Sequence, residues 1–304
     1  MAAQRRTGPV LLLDAGNALF KFPGLDDAPS RARARFVLTT MGQLQTAAMA
    51  VGARDLNAGP AWLQETAKAA KVQLLSANLE DTDRKRVLPG SSVVEAGGLR
   101  VGLLGLTAPG RHGVLVATPL LPAVRAEVTA LRARKVDAVV VLAAVPYADA
   151  LELARTLGAD VELVIQSHEA RGPSGPQQVG EGWLISSPDR GRGVGRLELD
   201  LVGEGKLRDG GEVARDKAAL AHLDGQVVEV KRRIAAATAP DVKEALKNAL
   251  ATFQQRRRDL LEKAGHPGQG RSFELSYLGL GPDVASDPVL QAEAGKLEIP
   301  PGLH

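Results

Sequence analysis

The sequence predicts a layered α/β sandwich followed by a helical hairpin. Three observations predict it. Short apolar runs alternate with segments of helical periodicity from residue 10 onward. The late run at 195–201 alternates Leu197, Leu199 and Leu201 against Glu198 and Asp200, as a strand with one wet face does. Past a Gly-rich stretch at 203–211, apolar residues recur at the spacing of two long helices. Strands alternating with helices and ending in an antiparallel ribbon argue a layered α/β sandwich.

The elements are read in order. Residues 10–13 form a buried strand ending in the turn Asp14-Ala15-Gly16-Asn17. Residues 23–32, with Pro, Asp and Ser, read as loop. Residues 33–45 form a helix with Phe36, Val37, Thr40, Met41 and Leu44 on one face. A strand at 46–51 leads through a loop to a helix at 60–70, which has Pro60 in its first turn. A strand at 72–75 ends in Ser76-Ala77-Asn78-Leu79. The strands at 92–96 and 99–106 flank Gly97-Gly98, a hairpin signal. A helix at 122–135, a fully apolar strand at 138–144, a helix at 147–157 and a strand at 161–165 follow. The last runs into Gln166-Ser167-His168. Strands are read at 178–186 and 195–201.

After the linker, 212–237 and 241–264 are helices separated by Thr238-Ala239-Pro240, a break that makes them an antiparallel hairpin. The tail from His266 reads as loop-rich, with one strand at 273–278. The expected organisation is a sandwich domain at 8–209, a helical hairpin at 210–265 and a tail at 266–304.

Composition bounds the function. The chain has 304 residues, 44% hydrophobic and 24% charged, and no apolar run nears the roughly 18 residues of a membrane span. The first residues lack the apolar core of a secretory signal. The absence of Cys excludes disulfides, thiolate metal sites and c-type haem attachment. A net charge of +3 is too small to argue nucleic-acid binding, and Arg256-Arg257-Arg258 reads as the solvated face of a helix.

The chain is organised around 49–59, Met-Ala-Val-Gly-Ala-Arg-Asp-Leu-Asn-Ala-Gly. An apolar strand end enters a Gly-bounded loop there, the place where α/β proteins carry chemistry. Other blocks stand in order around it: Leu11 through Asn17, Leu74 through Leu79, Leu99 through Leu106 and Asp160 through His168. In this order they resemble the calcineurin-like metallophosphoesterases of the 5′-nucleotidase type, over about residues 8–202. The Gly-x-Arg-Asp-Leu loop followed by a long hairpin is also similar to a branch fused to bacterial multihaem cytochromes, although this chain holds no haem motif. The resemblance implies a four-layer αββα metallophosphoesterase-type sandwich with an appended antiparallel helical hairpin.

In that family two metal ions about 3.5–4 Å apart activate a water and clamp a phosphate. By the resemblance, the bridging Asp falls on Asn17, and the loop Asn and His fall on Ala53 and Arg54. The next His falls on Ala144, and the final His pair falls on Gln166 and His168. The family's opening Asp-x-His strand has no counterpart. Asp14, Asn17, Arg54, Asp55, Asn78, Gln166 and His168 therefore mark a vestigial cleft, with Asn17 and His168 its metal candidates. Asp14 and Asn17 also suit turn capping, and Arg54 suits pairing with Asp14 or an anion.

The expected function is a catalytically degenerate domain serving as a structural or partner-binding module, with no cofactor. One alternative is a metal-dependent phosphohydrolase acting on nucleotides or phosphate esters. Another is an anion- or nucleotide-binding protein without turnover. The expected partner is another protein or a second copy, met through the hairpin or through an open sheet edge left by the absent strand. N-terminal residues, the tail or another chain are expected to cover that edge. Family habit implies a bacterial cell envelope or periplasm, and the lack of a signal sequence leaves a cytoplasmic location open.

Overall fold

The computed structural model describes residues 2–167, 175–186, 193–203, 205–264 and 270–297. The chain forms two compact units, Met1–Gly195 with Tyr277–His304, and Arg196–Ser276.

The first unit opens with α1 (Ala2–Thr7), β1 (Leu12–Asp14), α2 (Ala28–Gln43), β2 (Thr46–Ala50), α3 (Pro60–Ala70) and β3 (Leu74–Leu75). It continues with β4 (Leu79–Glu80), β5 (Ser91–Ala96), β6 (Leu99–Thr107), β7 (Gly110–His112), β8 (Leu115–Ala117) and α4 (Leu120–Ala133). Then come β9 (Ala138–Ala144), α5 (Tyr147–Leu157), β10 (Leu163–Gln166), β11 (Gln177–Val179) and β12 (Gly182–Ser186). Strands β1, β2 and β3 form a wholly parallel sheet in that order. A six-stranded sheet runs β11-β12-β10-β9-β6-β5, parallel at its centre and antiparallel at both edges. Strands β4, β8 and β7 form a small antiparallel sheet beside them.

Side-chain alternation sorts the layers. On β9, Val139, Val141 and Ala143 pack with Val124, Val128 and Leu131 of α4 and Leu153 and Ala154 of α5. On the other sheet, Met49 and Val51 pack with Ala34 and Leu38 of α2 and Leu63 and Ala67 of α3. The opposite faces, carrying Ala48, Ala50, Leu75, Leu103, Val140 and Leu142, are buried where β2 and β3 meet β6 and β9. Small residues let these sheets approach closely: a Cβ at Gly105 would lie 2.3 Å from the Leu75 carbonyl oxygen. The result is helix, sheet, sheet, helix.

A three-stranded sheet in the order β13-β15-β14, from β13 (Gly193–Asp200), β14 (Arg208–Asp209) and β15 (Ser272–Gly279), belongs to the second unit except for residues 193–195 and 277–279. Helices α6 (Gly210–Ala236) and α7 (Pro240–Ala264) lie side by side, and Arg257 of α7 pairs with Asp224 of α6. From Tyr277 onward the tail belongs to the first unit, to which it adds α8 (Pro288–Ala294), and the Tyr277 hydroxyl donates to the Ser186 carbonyl at 3.0 Å.

Several expectations need correction. Helix α2 starts earlier than residue 33, because the Asp27 side chain caps it by accepting from the Ser30 N–H and Pro29 suits its first turn. Gly210 and Gly211 are not linker. They open α6, capped by Asp209. The expected strand at 178–186 is the hairpin β11–β12, turned at Gly180 with φ of 62°. The run at 195–201 makes no ribbon with it, since β13 pairs with β15. Short β4, β7 and β8 and helix α8 are additions that the sequence pattern does not predict. Among the described strands, β1 pairs with β2 alone, and Leu12, Leu13 and Asp14 are partly buried. The N-terminal residues add no strand there. They form α1, whose Arg5 donates to the Leu44 carbonyl at 2.6 Å.

Candidate functional site

The carboxyl ends of β1, β2, β9 and β10 converge. They deliver the turn after Asp14, the loop after Val51, Ala144, and the pair Gln166 and Ser167 to one place. Parallel strands force this, since every loop after a strand leaves on the same side of the sheet.

Asp55 is the hub. It is fully buried, and its carboxylate accepts the backbone N–H groups of Asn17 at 2.7 Å, Leu19 at 3.0 Å and Gly52 at 2.8 Å. Burial pushes this carboxyl above its ordinary range, while the three N–H donors and the nearby Arg54 guanidinium pull against that shift. Asn17 takes the left-handed backbone, with φ of 61°, a conformation that Asn tolerates better than most residues. Its Oδ1 accepts the Arg54 N–H at 3.2 Å, and its Nδ2 donates to Ser167 Oγ at 3.2 Å. Gly52 is required beneath it, because a Cβ there would sit 2.2 Å from Asn17 Oδ1.

Asp14 stands at the end of β1, partly buried, with its Oδ1 accepting the Gly16 N–H at 2.8 Å. This is an Asx turn. Crowding by protein raises its pKa from the ordinary 3.8 to about 7, against the Gly16 N–H, and the charge of Asp55 adds to the rise. Arg54 does not pair with Asp14: its Nη1 donates to the Lys21 carbonyl at 2.9 Å. Ala144 packs against Gly16, where an added Cβ would lie 2.8 Å from the Ala144 Cβ.

Gln166 and Asn78 are buried in the framework around this cluster. Gln166 is fully buried, donates from Nε2 to the Val145 carbonyl at 3.0 Å and accepts from Ser186 Oγ at 3.0 Å. Asn78 donates to the carbonyls of Thr107 and Thr118, each at 2.8 Å, and accepts the Thr107 N–H at 3.0 Å. Thr107 Oγ1 in turn donates to the Val51 carbonyl at 2.6 Å. The structure thus gathers Asp14, Asn17, Arg54 and Asp55, sets Asn78 in a separate inter-sheet network, and ties Gln166 to the edge of the site. His168 lies outside the described residues.

The sequence reading missed Ser167, Gly52 and Thr107. Ser167 stood between two marked residues, and its position at a strand end was a usable signal. The partner of Thr107 is remote in sequence and left no local trace.

Among the described residues, no group of three or more His, Asp and Glu gathers as a metal-holding set. The oxygens present do not fit a two-metal centre as placed. Those of Asp55, Asn17 Oδ1 and Gln166 Oε1 already accept protein hydrogen bonds, and a guanidinium is nearby. Asp14, with a single N–H donor against three at Asp55, has the most acceptor capacity left.

No protein-family model matches the chain, and no curated protein matches it. Solved structures do. A 5′-nucleotidase precursor from Thermus thermophilus superposes with a TM-score of 0.54 at 24% identity, over 66% of this chain and 43% of that one. The Thermus thermophilus sulfate thiohydrolase SoxB gives 0.54 at 18% identity, over 66% of this chain and 37% of that one. The calcineurin-like phosphoesterase YfkN from Bacillus subtilis gives 0.51 at 15% identity, over 67% of this chain and 75% of that one. The chain thus spans less than half the length of the first two. Its fold is that of the calcineurin-like metallophosphoesterases and 5′-nucleotidases.

Proposed function

We propose that this chain is a catalytically degenerate metallophosphoesterase-like domain, acting as a structural or partner-binding module. One observation carries the reading. At the loop where the fold places its chemistry, the Asp55 carboxylate is spent on three backbone N–H groups and the Asn17 side chain on Arg54 and Ser167. These side chains lock loops together, and a fixed loop cluster serves a scaffold as well as it serves an enzyme. The partner is a protein or a second copy, met through the α6–α7 pair or the side of β1 that pairs with no other described strand. Location in a bacterial envelope or periplasm belongs to the same proposal.

The assay that tests it is hydrolysis of p-nitrophenyl phosphate and AMP by the purified chain with added Mn²⁺ or Zn²⁺. The expected result is a rate no higher than that of a control protein. Metal-dependent turnover that survives re-purification would overturn the reading.

A second reading, a metal-dependent phosphohydrolase, is favoured by Asp14 alone. A crowded carboxyl with its pKa at about 7 and spare acceptor capacity is the kind of group that a cation deprotonates and binds. The same assay separates the two.

A further inference from the structure

We draw no further inference here: the strongest candidate, the exposed seam of Ala214, Ala218, Ala221, Gly225 and Val228 along α6 with the roughly 510 Å³ groove that adjoins it, is an unpartnered apolar face, and nothing in the structure shows what covers it.

Discussion

The Asp55 carboxylate accepts the Asn17 N–H at 2.7 Å, across 38 residues of sequence, and the Asn17 side chain accepts the N–H of Arg54 next to Asp55. The two residues hold each other's loops. The buried carboxyl also accepts the N–H groups of Gly52 and Leu19, so hydrogen bonds tie the loop after β1 to the loop after β2.

Asp55→Ala is expected to cost about 3–5 kcal/mol, since it strands several buried N–H donors at about 1–3 kcal/mol each, with partial relief by water. Asp55→Asn, which keeps one acceptor oxygen, is expected to lose less. Urea unfolding followed by Trp fluorescence measures both. A cost below about 1 kcal/mol for the Ala variant would show that the hub is not structural.

Gly52→Ala forces a Cβ to 2.2 Å from Asn17 Oδ1. Overpacking of this kind costs about 1–3 kcal/mol. Asn17→Gly removes the obstructing side chain and keeps the left-handed backbone, leaving the position-17 backbone N, 2.8 Å from the added Cβ, as the remaining close contact. A double-mutant cycle is therefore expected to show favourable coupling of about 1 kcal/mol. Additive losses would contradict the contact.

Asp14 makes stability depend on pH with a definite sign. Its folded pKa, about 7, exceeds the ordinary 3.8, so the folded state binds more protons between these values. The contribution of Asp14 to stability is fully present below about pH 4 and is lost as pH rises through about 7, by a few kcal/mol at most. Asp55 is shifted in the same direction. Asp14→Asn should flatten the profile across this window without abolishing it. An unchanged slope would place the titration elsewhere.

The pair Arg257–Asp224 supplies a contrast. Both side chains are largely exposed, at 41% and 53%, and such pairs contribute about 0–1 kcal/mol. Asp224→Ala is expected to shift stability by less than about 0.5 kcal/mol, and high salt should erase even that. A loss above about 2 kcal/mol would mean that the helix pair depends on this bridge.

What the sequence revealed divides along physical lines. Strand β9 was legible because all seven of its residues are apolar and buried. Helix α3 was legible from Pro60 and its apolar spacing. Strands β4 and β14, two residues each, are held by their sheet neighbours and carry no period of their own. The capping Asp27 was there to be read, but Pro29 made the stretch look like loop. In the candidate site, Asp14, Asn17, Arg54 and Asp55 were singled out by the family resemblance, and they stand at or just after the ends of β1 and β2. The direction of Arg54, toward the Lys21 carbonyl, depends on a loop conformation that no spacing rule encodes.

The most direct test of the proposal that the metal site is degenerate is a count of bound metal. The full chain is dialysed against Mn²⁺ and Zn²⁺, freed of excess ions, and analysed by mass spectrometry for metal per chain. The account predicts less than one ion per chain, with the Asp55 and Asn17 oxygens still committed to backbone N–H groups. Two ions per chain would contradict it and put the hydrolase reading first.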